Sequence, residues 1–131
     1  MSRQRLTVDE MLAAARARLQ RVQPSNVDAE QDRGAVVVDI RCESDRRRTG
    51  VIRGSVAVER TVLEWRADPD SPWSDPRIAE LDRRLILICS DGYSSSLAAV
   101  SLLDLGFGDV TDVDGGVTAW VAEGLSLERS R

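Results

Sequence analysis

The sequence contains no histidine and no lysine, so all 18 of its basic residues are arginine. Without histidine the chain has no Ser-His-Asp or Cys-His catalysis, no histidine-ligated metal site and no histidine pH switch. Without lysine it has neither Schiff-base chemistry nor phosphate transfer at a P-loop. Any chemistry of this chain therefore rests on other residue types.

Cysteine and long apolar runs are also scarce. Cys42 and Cys89 are the two cysteines of the chain, too few for a disulfide framework, and this indicates a reducing compartment. No apolar run approaches the ~18 residues of a membrane span. The arginines near the N-terminus are not followed by the apolar segment of a secretory signal. We therefore expect a cytoplasmic protein with no membrane partner.

The charge balance is acidic, with 22 acidic and 18 basic residues and a formal net charge of −4. An acidic surface does not favour a polyanion, so no nucleic acid partner is expected. The arginine run 46–48 lies next to Glu43 and Asp45 and indicates a solvated face. At 131 residues, 42% hydrophobic and 31% charged, the chain has the size and composition of one globular domain.

Strand-like runs alternate with helix-like segments along the chain. A continuous, largely β-branched run predicts a buried strand over 35–40, and an apolar run predicts another over 85–89. A third buried strand is expected over 110–113, and a shorter strand within 51–58. A capping box at 7–10 begins a helix that should continue to Val22, and residues 24–34 look like a polar connection. The other predicted helices cover 61–66, 75–83, 95–105 and 117–123. This alternation predicts an α/β fold with a mostly parallel sheet between helix layers.

In such sheets, sites form beyond the carboxyl ends of the strands. This rule selects residues 39–41, 59–60, 89–94 and 114–116. Asp39 and Arg41 are interpreted as ties between neighbouring loops, and the Gly115-Gly116 pair as a place of close packing beside the loop that follows Cys89.

Cys89 ends a buried strand, and a helix begins about six residues later. The loop between them must curl tightly, which Gly92 permits, and its successive N–H groups then form an anion nest. The dipole of the following helix acts at the same place, and both effects favour a reactive thiolate. The alternative is that Cys89 is a small buried apolar residue. Cys42 has no such surroundings and is interpreted as incidental, with a Cys42–Cys89 disulfide left open.

Several segments in order resemble rhodanese-like (sulfurtransferase) domains, of the single-domain bacterial type, over about residues 33–125. The loop Cys89-Ser90-Asp91-Gly92-Tyr93-Ser94-Ser95 resembles the active-site loop of that family. The family's first strand is matched by residues 37–41, and its Gly-His-Ile-Pro-Gly-Ala turn by residues 50–55. After the loop the resemblance continues through residues 103–107 and 110–120.

The resemblance implies a three-layer α/β fold with an approximately five-stranded, mainly parallel sheet and helices on both faces. Residues 1–24 would be an N-terminal helical extension and 25–131 the rhodanese-like domain. Cys89 would take sulfane sulfur from a donor such as thiosulfate, carry it as a persulfide and pass it to cyanide or a thiol. The protein would be a monomer or a homodimer. Backbone N–H groups of Ser90 to Ser95 would hold the sulfur anion. No metal or organic cofactor is implied.

The sequence departs from the family pattern in its charges. Many active members have arginine at the second or last loop position, where this chain has Ser90 and Ser94, and Asp91 adds a negative charge. We hypothesise that Arg60, or else Arg66, faces the loop and replaces the missing charge. The alternative is a surface ion pair with Glu59 or Glu64.

Three functions remain open at this stage. The first is a sulfurtransferase that carries sulfur on Cys89. The second is a non-catalytic module that binds a partner or senses redox state. The third, a phosphatase or arsenate reductase, is disfavoured because those chemistries need an arginine that clamps the oxyanion.

Overall fold

The computed structural model describes residues 4–130, and its centre is a parallel sheet. Within these residues the strands are β1 (Val36–Asp39), β2 (Val56–Ala57), β3 (Leu85–Ile88) and β4 (Val110–Asp112), in the order β2-β1-β3-β4. All three strand pairs are parallel. β3 is buried along its whole length, which explains why it is apolar without alternation.

The predicted number of strands, about five, is wrong by one over residues 4–130. The backbone of the segment before Pro24 pairs with the outer edge of the sheet through a single parallel bridge between Val22 and Val113, just after β4. The Val22 N–H donates to the Asp112 carbonyl at 3.0 Å, and the Asp114 N–H donates to the Val22 carbonyl at 2.9 Å. Pro24 then begins a 3₁₀ turn, so the extended segment is too short to form a strand.

Helices cover both faces of the sheet, as predicted. They are α1 (Val8–Arg16), α2 (Val27–Asp32), α3 (Glu43–Thr49), α4 (Leu63–Ala67), α5 (Ser94–Asp104) and α6 (Gly116–Ala122). One apolar core contains Leu63 of α4 and Leu102 of α5. A second core on the other face contains Val27 of α2 and Trp120 of α6. The three-layer α/β architecture is therefore confirmed.

The N-terminal helix packs on its own chain, against α5. Its capping box is present, with Thr7 and Glu10 exchanging side-chain and backbone hydrogen bonds of 3.1 Å. The predicted continuation to Val22 is wrong, because α1 ends at Arg16 and the chain turns to run along β4. The division at residue 24 stays a prediction.

Two further predictions of secondary structure are wrong. Residues 24–34 contain a 3₁₀ turn and α2 instead of an irregular connection. The predicted helix over 75–83 is absent, since the backbone makes only a turn in which Ile78 and Ala79 donate to the Asp75 carbonyl. The Asp75 carboxylate is held by Arg77, 2.6 Å away, and by Arg66. No helix within residues 4–130 combines the length and apolar content needed to cross a membrane.

Candidate active site

Cys89 follows β3 directly, and α5 begins five residues later at Ser94. The residue is only 6% exposed and belongs to the core on the α4 and α5 face. It also lines an open cavity of about 320 Å³, which the sequence could not predict. The other lining residues are Ile40, Arg41, Asp45, Ser90, Asp91, Tyr93 and Ser94. Cys89 is therefore both packed in the core and exposed to a cavity.

The backbone contacts the sulfur in the segment that we call the Cys89 loop, residues 89–95. The Gly92 N–H donates to Cys89 Sγ at 3.2 Å. The other N–H groups of the loop have no protein acceptor among residues 4–130; they are those of Ser90, Asp91, Tyr93, Ser94 and Ser95. The last two are in the first turn of α5, where the helix dipole is positive. The loop therefore has free donors for an anion beside the sulfur.

Two glycines let the loop and α6 approach each other. Gly92 has φ +82°, and a Cβ there would lie 2.8 Å from the Gly115 nitrogen. Gly116 has φ +60°, and its Cβ would lie 2.4 Å from the Cys89 carbonyl oxygen. That carbonyl accepts a 3.0 Å hydrogen bond from the Val117 N–H. The interpretation of the Gly115-Gly116 pair as a close-packing device is confirmed.

Polar side chains of the Cys89 loop point in different directions. The Asp91 carboxylate accepts a 2.7 Å hydrogen bond from the Thr118 hydroxyl, which ties the loop to α6. The hydroxyls of Ser95 and Ser96 both donate to Asp112 Oδ2, at 2.7 and 2.8 Å. Asp112 is fully buried at the end of β4. The Ser95 side chain therefore anchors the end of the loop to the buried Asp112.

Two arginines from the N-terminal part of the chain contact the Cys89 loop, and sequence reasoning missed both. Arg16 Nη2 and Arg21 Nη2 donate to the Gly92 carbonyl at 2.7 and 2.9 Å. Arg21 also pairs with Asp112 at 2.9 Å and with Asp114 at 3.0 Å. Burial lowers the pKa of Arg21, but the hydrogen bond and charge of Asp112, together with the charges of Asp114 and Cys89, outweigh burial and raise it.

The hypothesis that Arg60 or Arg66 replaces the missing loop charge is wrong. Arg60 Nη1 lies 3.0 Å from both carboxylate oxygens of Glu64, one helical turn away. Arg66 donates to the Trp73 carbonyl at 3.0 Å and pairs with Asp75. Neither arginine lines the Cys89 cavity. The ion pair with Glu64, the alternative considered from sequence, is what the structure contains.

Asp39 and Arg41 form a buried pair at the end of β1. Arg41 Nη2 lies 2.8 Å from Asp39 Oδ2, and Arg41 Nε lies 3.0 Å from Asp39 Oδ1. Arg41 also donates to the Thr49 hydroxyl and to the Gly50 carbonyl, both at 2.7 Å. Although Arg41 lines the cavity, its guanidinium is occupied in tying α3 to the sheet, as the sequence interpretation proposed.

The second cysteine, Cys42, is exposed, and both cysteines are free. Its thiol donates to the Asp45 carboxylate at 3.1 Å. Hydrogen bonds from Cys42 and Arg48 lower the pKa of Asp45, which therefore stays charged at the cavity wall.

Tyr93, at 63% exposure, lies under the Arg16 guanidinium, with 5.6 Å between the guanidinium carbon and the ring centroid. No group of three potential metal ligands occurs within residues 4–130.

Comparisons with known proteins agree with this architecture. A family model described as rhodanese-like domain matches residues 23–123. The thiosulfate sulfurtransferase GlpE of Pseudomonas fluorescens SBW25 is 37% identical over 100 residues, which cover 76% of this chain and 83% of that protein. The protein of the same name from Pseudomonas aeruginosa PAO1 is 34% identical, with 77% and 83% covered.

Solved structures extend the similarity to the N-terminal part. RPA3614 from Rhodopseudomonas palustris, described as a "Possible Tyrosine Phosphatase", has a TM-score of 0.85 at 32% identity and covers 98% of this chain and 100% of its own. A thiosulfate sulfurtransferase from Pseudomonas aeruginosa shares the fold with a TM-score of 0.69, at 24% identity over 86% of this chain and 20% of its own. On the family model and these relatives, this chain belongs to the rhodanese-like domain family.

Proposed function

We propose that the protein is a sulfurtransferase in which Cys89 is the nucleophile and carries sulfane sulfur as a persulfide. The observation that supports this most strongly is the Cys89 loop, where the Gly92 N–H contacts Sγ and the remaining amides have no protein acceptor among residues 4–130. A sulfur anion at the cavity floor would be stabilised by these fixed dipoles without reorganisation of the loop.

The proposed first half-reaction transfers one sulfur atom. The Cys89 thiolate attacks the outer sulfur of thiosulfate, the S–S bond of thiosulfate breaks, and sulfite leaves with the bonding electron pair. The persulfide anion that forms extends one atom further into the cavity. In the second half-reaction a thiol or cyanide attacks that outer sulfur and the Cys89 thiolate is released. The atoms and charges balance without an oxidant, a metal or an organic cofactor.

The relatives named thiosulfate sulfurtransferase support this choice of chemistry and of donor. The proposed partners are a small sulfur donor and a thiol acceptor, and the proposed setting is the reducing cytoplasm. Tyr93 and Ser94 line the cavity and would contact the donor or acceptor at its entrance.

Two other functions fit the structure less well. A phosphatase would need an arginine that clamps the phosphoryl oxygens. In the Cys89 loop there is none, and Arg16 and Arg21 contact the loop through the Gly92 carbonyl and do not line the cavity. A non-catalytic module would leave the free amides without a role, so it is the weaker alternative.

Steady-state turnover with thiosulfate and cyanide tests the proposal, with thiocyanate as the measured product. We expect turnover in the wild-type protein and in Cys42→Ser, and none in Cys89→Ser. Hydrolysis of an aryl phosphate that depends on Cys89 would instead support a phosphatase. Absence of both activities in folded protein would favour a binding module and contradict the proposal.

A further inference from the structure

The N-terminal segment, defined here as residues 7–23, contacts the back of the Cys89 loop. We propose that Arg16 and Arg21 are positioning residues of this site, which hold the Gly92 peptide in the orientation that exposes the loop amides and supply the positive charge that Ser90 and Ser94 lack. The inference rests on the proposed role of Cys89 as a reacting thiolate.

The Gly92 carbonyl oxygen is the meeting point of three donors. Arg16 Nη2 lies at 2.7 Å, Arg21 Nη2 at 2.9 Å and the Ser96 hydroxyl at 3.4 Å. The first two are charge-assisted hydrogen bonds, which are stronger than bonds between neutral groups. A carbonyl oxygen has two lone pairs, and the two arginines are enough to occupy both. These hydrogen bonds therefore fix the direction of the Gly92 carbonyl.

The direction of that carbonyl determines where the next N–H points. No residue among 4–130 has a cis peptide bond, and in a trans peptide the C=O and the following N–H point in opposite directions. With the Gly92 carbonyl turned to the arginines, the Tyr93 N–H points away from them, and Tyr93 lines the cavity where neither arginine does. Hydrogen bonds to the carbonyl also polarise the peptide and strengthen its N–H as a donor.

Arg21 is itself held rigidly. Its Nε and Nη2 bind the two oxygens of the buried Asp112 carboxylate at 2.9 and 3.1 Å. The same carboxylate accepts the hydroxyls of Ser95 and Ser96, which are in the first turn of α5. Asp112 therefore links the arginine and the loop in one buried network.

Arg16 differs from Arg21 in its partners. Among residues 4–130, no carboxylate oxygen lies within 4.0 Å of its guanidinium nitrogens. Its Nε donates to the Ser96 hydroxyl at 3.2 Å, and the guanidinium lies over Tyr93. Within residues 4–130 it therefore adds a positive charge behind the loop that no carboxylate pairs with, whereas Arg21 pairs with two aspartates.

Both arginines precede residue 23, where the match to the family model begins. Arg16 and Arg21 therefore lie outside the region that the family model describes, and they are not part of its loop motif. The N-terminal segment is therefore, in this proposal, a functional part of the site and more than an extension.

The test uses the full chain with Cys42→Ser, so that Cys89 is its only thiol. The first readout is the second-order rate constant for alkylation of Cys89 by iodoacetamide, a neutral reagent. The variants are Arg16→Gln, Arg16→Lys and Arg21→Gln. Arg18→Gln is the matched control, because Arg18 belongs to the same segment but pairs with Asp104 at 2.9 Å and does not contact the loop.

We expect each glutamine variant at positions 16 and 21 to alkylate about tenfold more slowly, the change that loss of one charged hydrogen bond predicts. Arg16→Lys keeps a cation near the Gly92 carbonyl and should retain about half of the wild-type rate. Arg18→Gln should be unchanged. In thiosulfate turnover, kcat should fall with the alkylation rate while KM changes less than about twofold, because neither side chain touches the donor.

Wild-type alkylation rates in folded Arg16→Gln and Arg21→Gln would overturn the inference, as would an equal loss in Arg18→Gln. If Arg21→Gln does not fold, the Arg16 series decides, because Arg16 has no carboxylate partner within residues 4–130 to strand. If the wild-type protein does not turn over thiosulfate, the proposed function fails but the alkylation series still tests the roles of Arg16 and Arg21.

Discussion

At the residue scale, the sequence pointed to Cys89 as the candidate nucleophile but not to the two arginines behind its loop. A cysteine at the end of an apolar strand, with a glycine three residues later, is a local pattern. Arg16 and Arg21 lie 76 and 71 positions from Gly92, and each is one of 18 arginines in the chain. Long-range pairing of this kind has no local signal, so only the folded chain reveals it.

Gly116 is a residue at which a side chain should destabilise the fold. We expect Gly116→Ala to lower the free energy of unfolding by at least about 3 kcal/mol, because its φ of +60° disfavours a side chain and the new Cβ would meet the Cys89 carbonyl at 2.4 Å. Urea denaturation measures the change.

Gly124 is the matched control for this substitution. It also has a positive φ, +76°, but an added Cβ would meet nothing within 4 Å. Gly124→Ala should therefore cost only about 1 kcal/mol, from the backbone conformation alone. Equal effects of the two substitutions would contradict the close packing of α6 against the Cys89 loop.

At the element scale, the strands were more predictable than the segments between them. β3 falls within the predicted run because a strand buried on both faces is apolar throughout. β4 also falls within its predicted range, although Thr111 and Asp112 are buried polar residues. The helix predicted from the Asp75-Pro76 pair is absent although the Asp75 carboxylate accepts the Arg77 backbone N–H at 2.9 Å, as a cap would. The hydrogen bonds from Ile78 and Ala79 to the Asp75 carbonyl close one turn, and the helix does not continue. Capping residues mark where a turn begins and do not ensure that a helix follows.

The Asp75 carboxylate leads to a prediction about pH. Hydrogen bonding to Arg77 lowers its pKa to about 2 from 3.8, despite its burial. Because the folded pKa is the lower one, the stabilisation is fully present above about pH 4 and is lost as pH falls toward 2. Asp75→Asn should therefore cost about 1–2 kcal/mol at pH 7 and almost nothing near pH 2.

Unfolding free energies at several pH values check this expectation. Glu80→Gln is a suitable control, because Glu80 forms a surface pair with Arg83 at 2.8 Å and such pairs contribute less than about 1 kcal/mol. A destabilisation by Asp75→Asn that does not change between pH 7 and pH 2 would show that the charge of Asp75 is not what holds this loop.

At the scale of the whole molecule, the sequence predicted the fold class and the sheet edge at which the candidate site lies. It did not predict the number of strands or the shape of the cavity. Alternating runs and the parallel-sheet rule placed Cys89 at a carboxyl end, next to the loops of residues 39–41 and 114–116. The strand count was wrong because the segment around Val22 pairs with the sheet edge beside β4 at one position and then turns away. How far such a segment continues along a sheet edge is decided by the folded chain. The cavity, too, depends on how α3 and the Cys89 loop meet in space.

Sulfur carried on Cys89 can be detected by reacting the reduced protein with thiosulfate, removing the reagent and measuring the intact mass. We expect a gain of one sulfur atom, about 32 Da, on a peptide that contains Cys89, retained in Cys42→Ser and absent from Cys89→Ser. An unmodified mass, or a sulfur atom found on Cys42, would rule out sulfur transfer through Cys89.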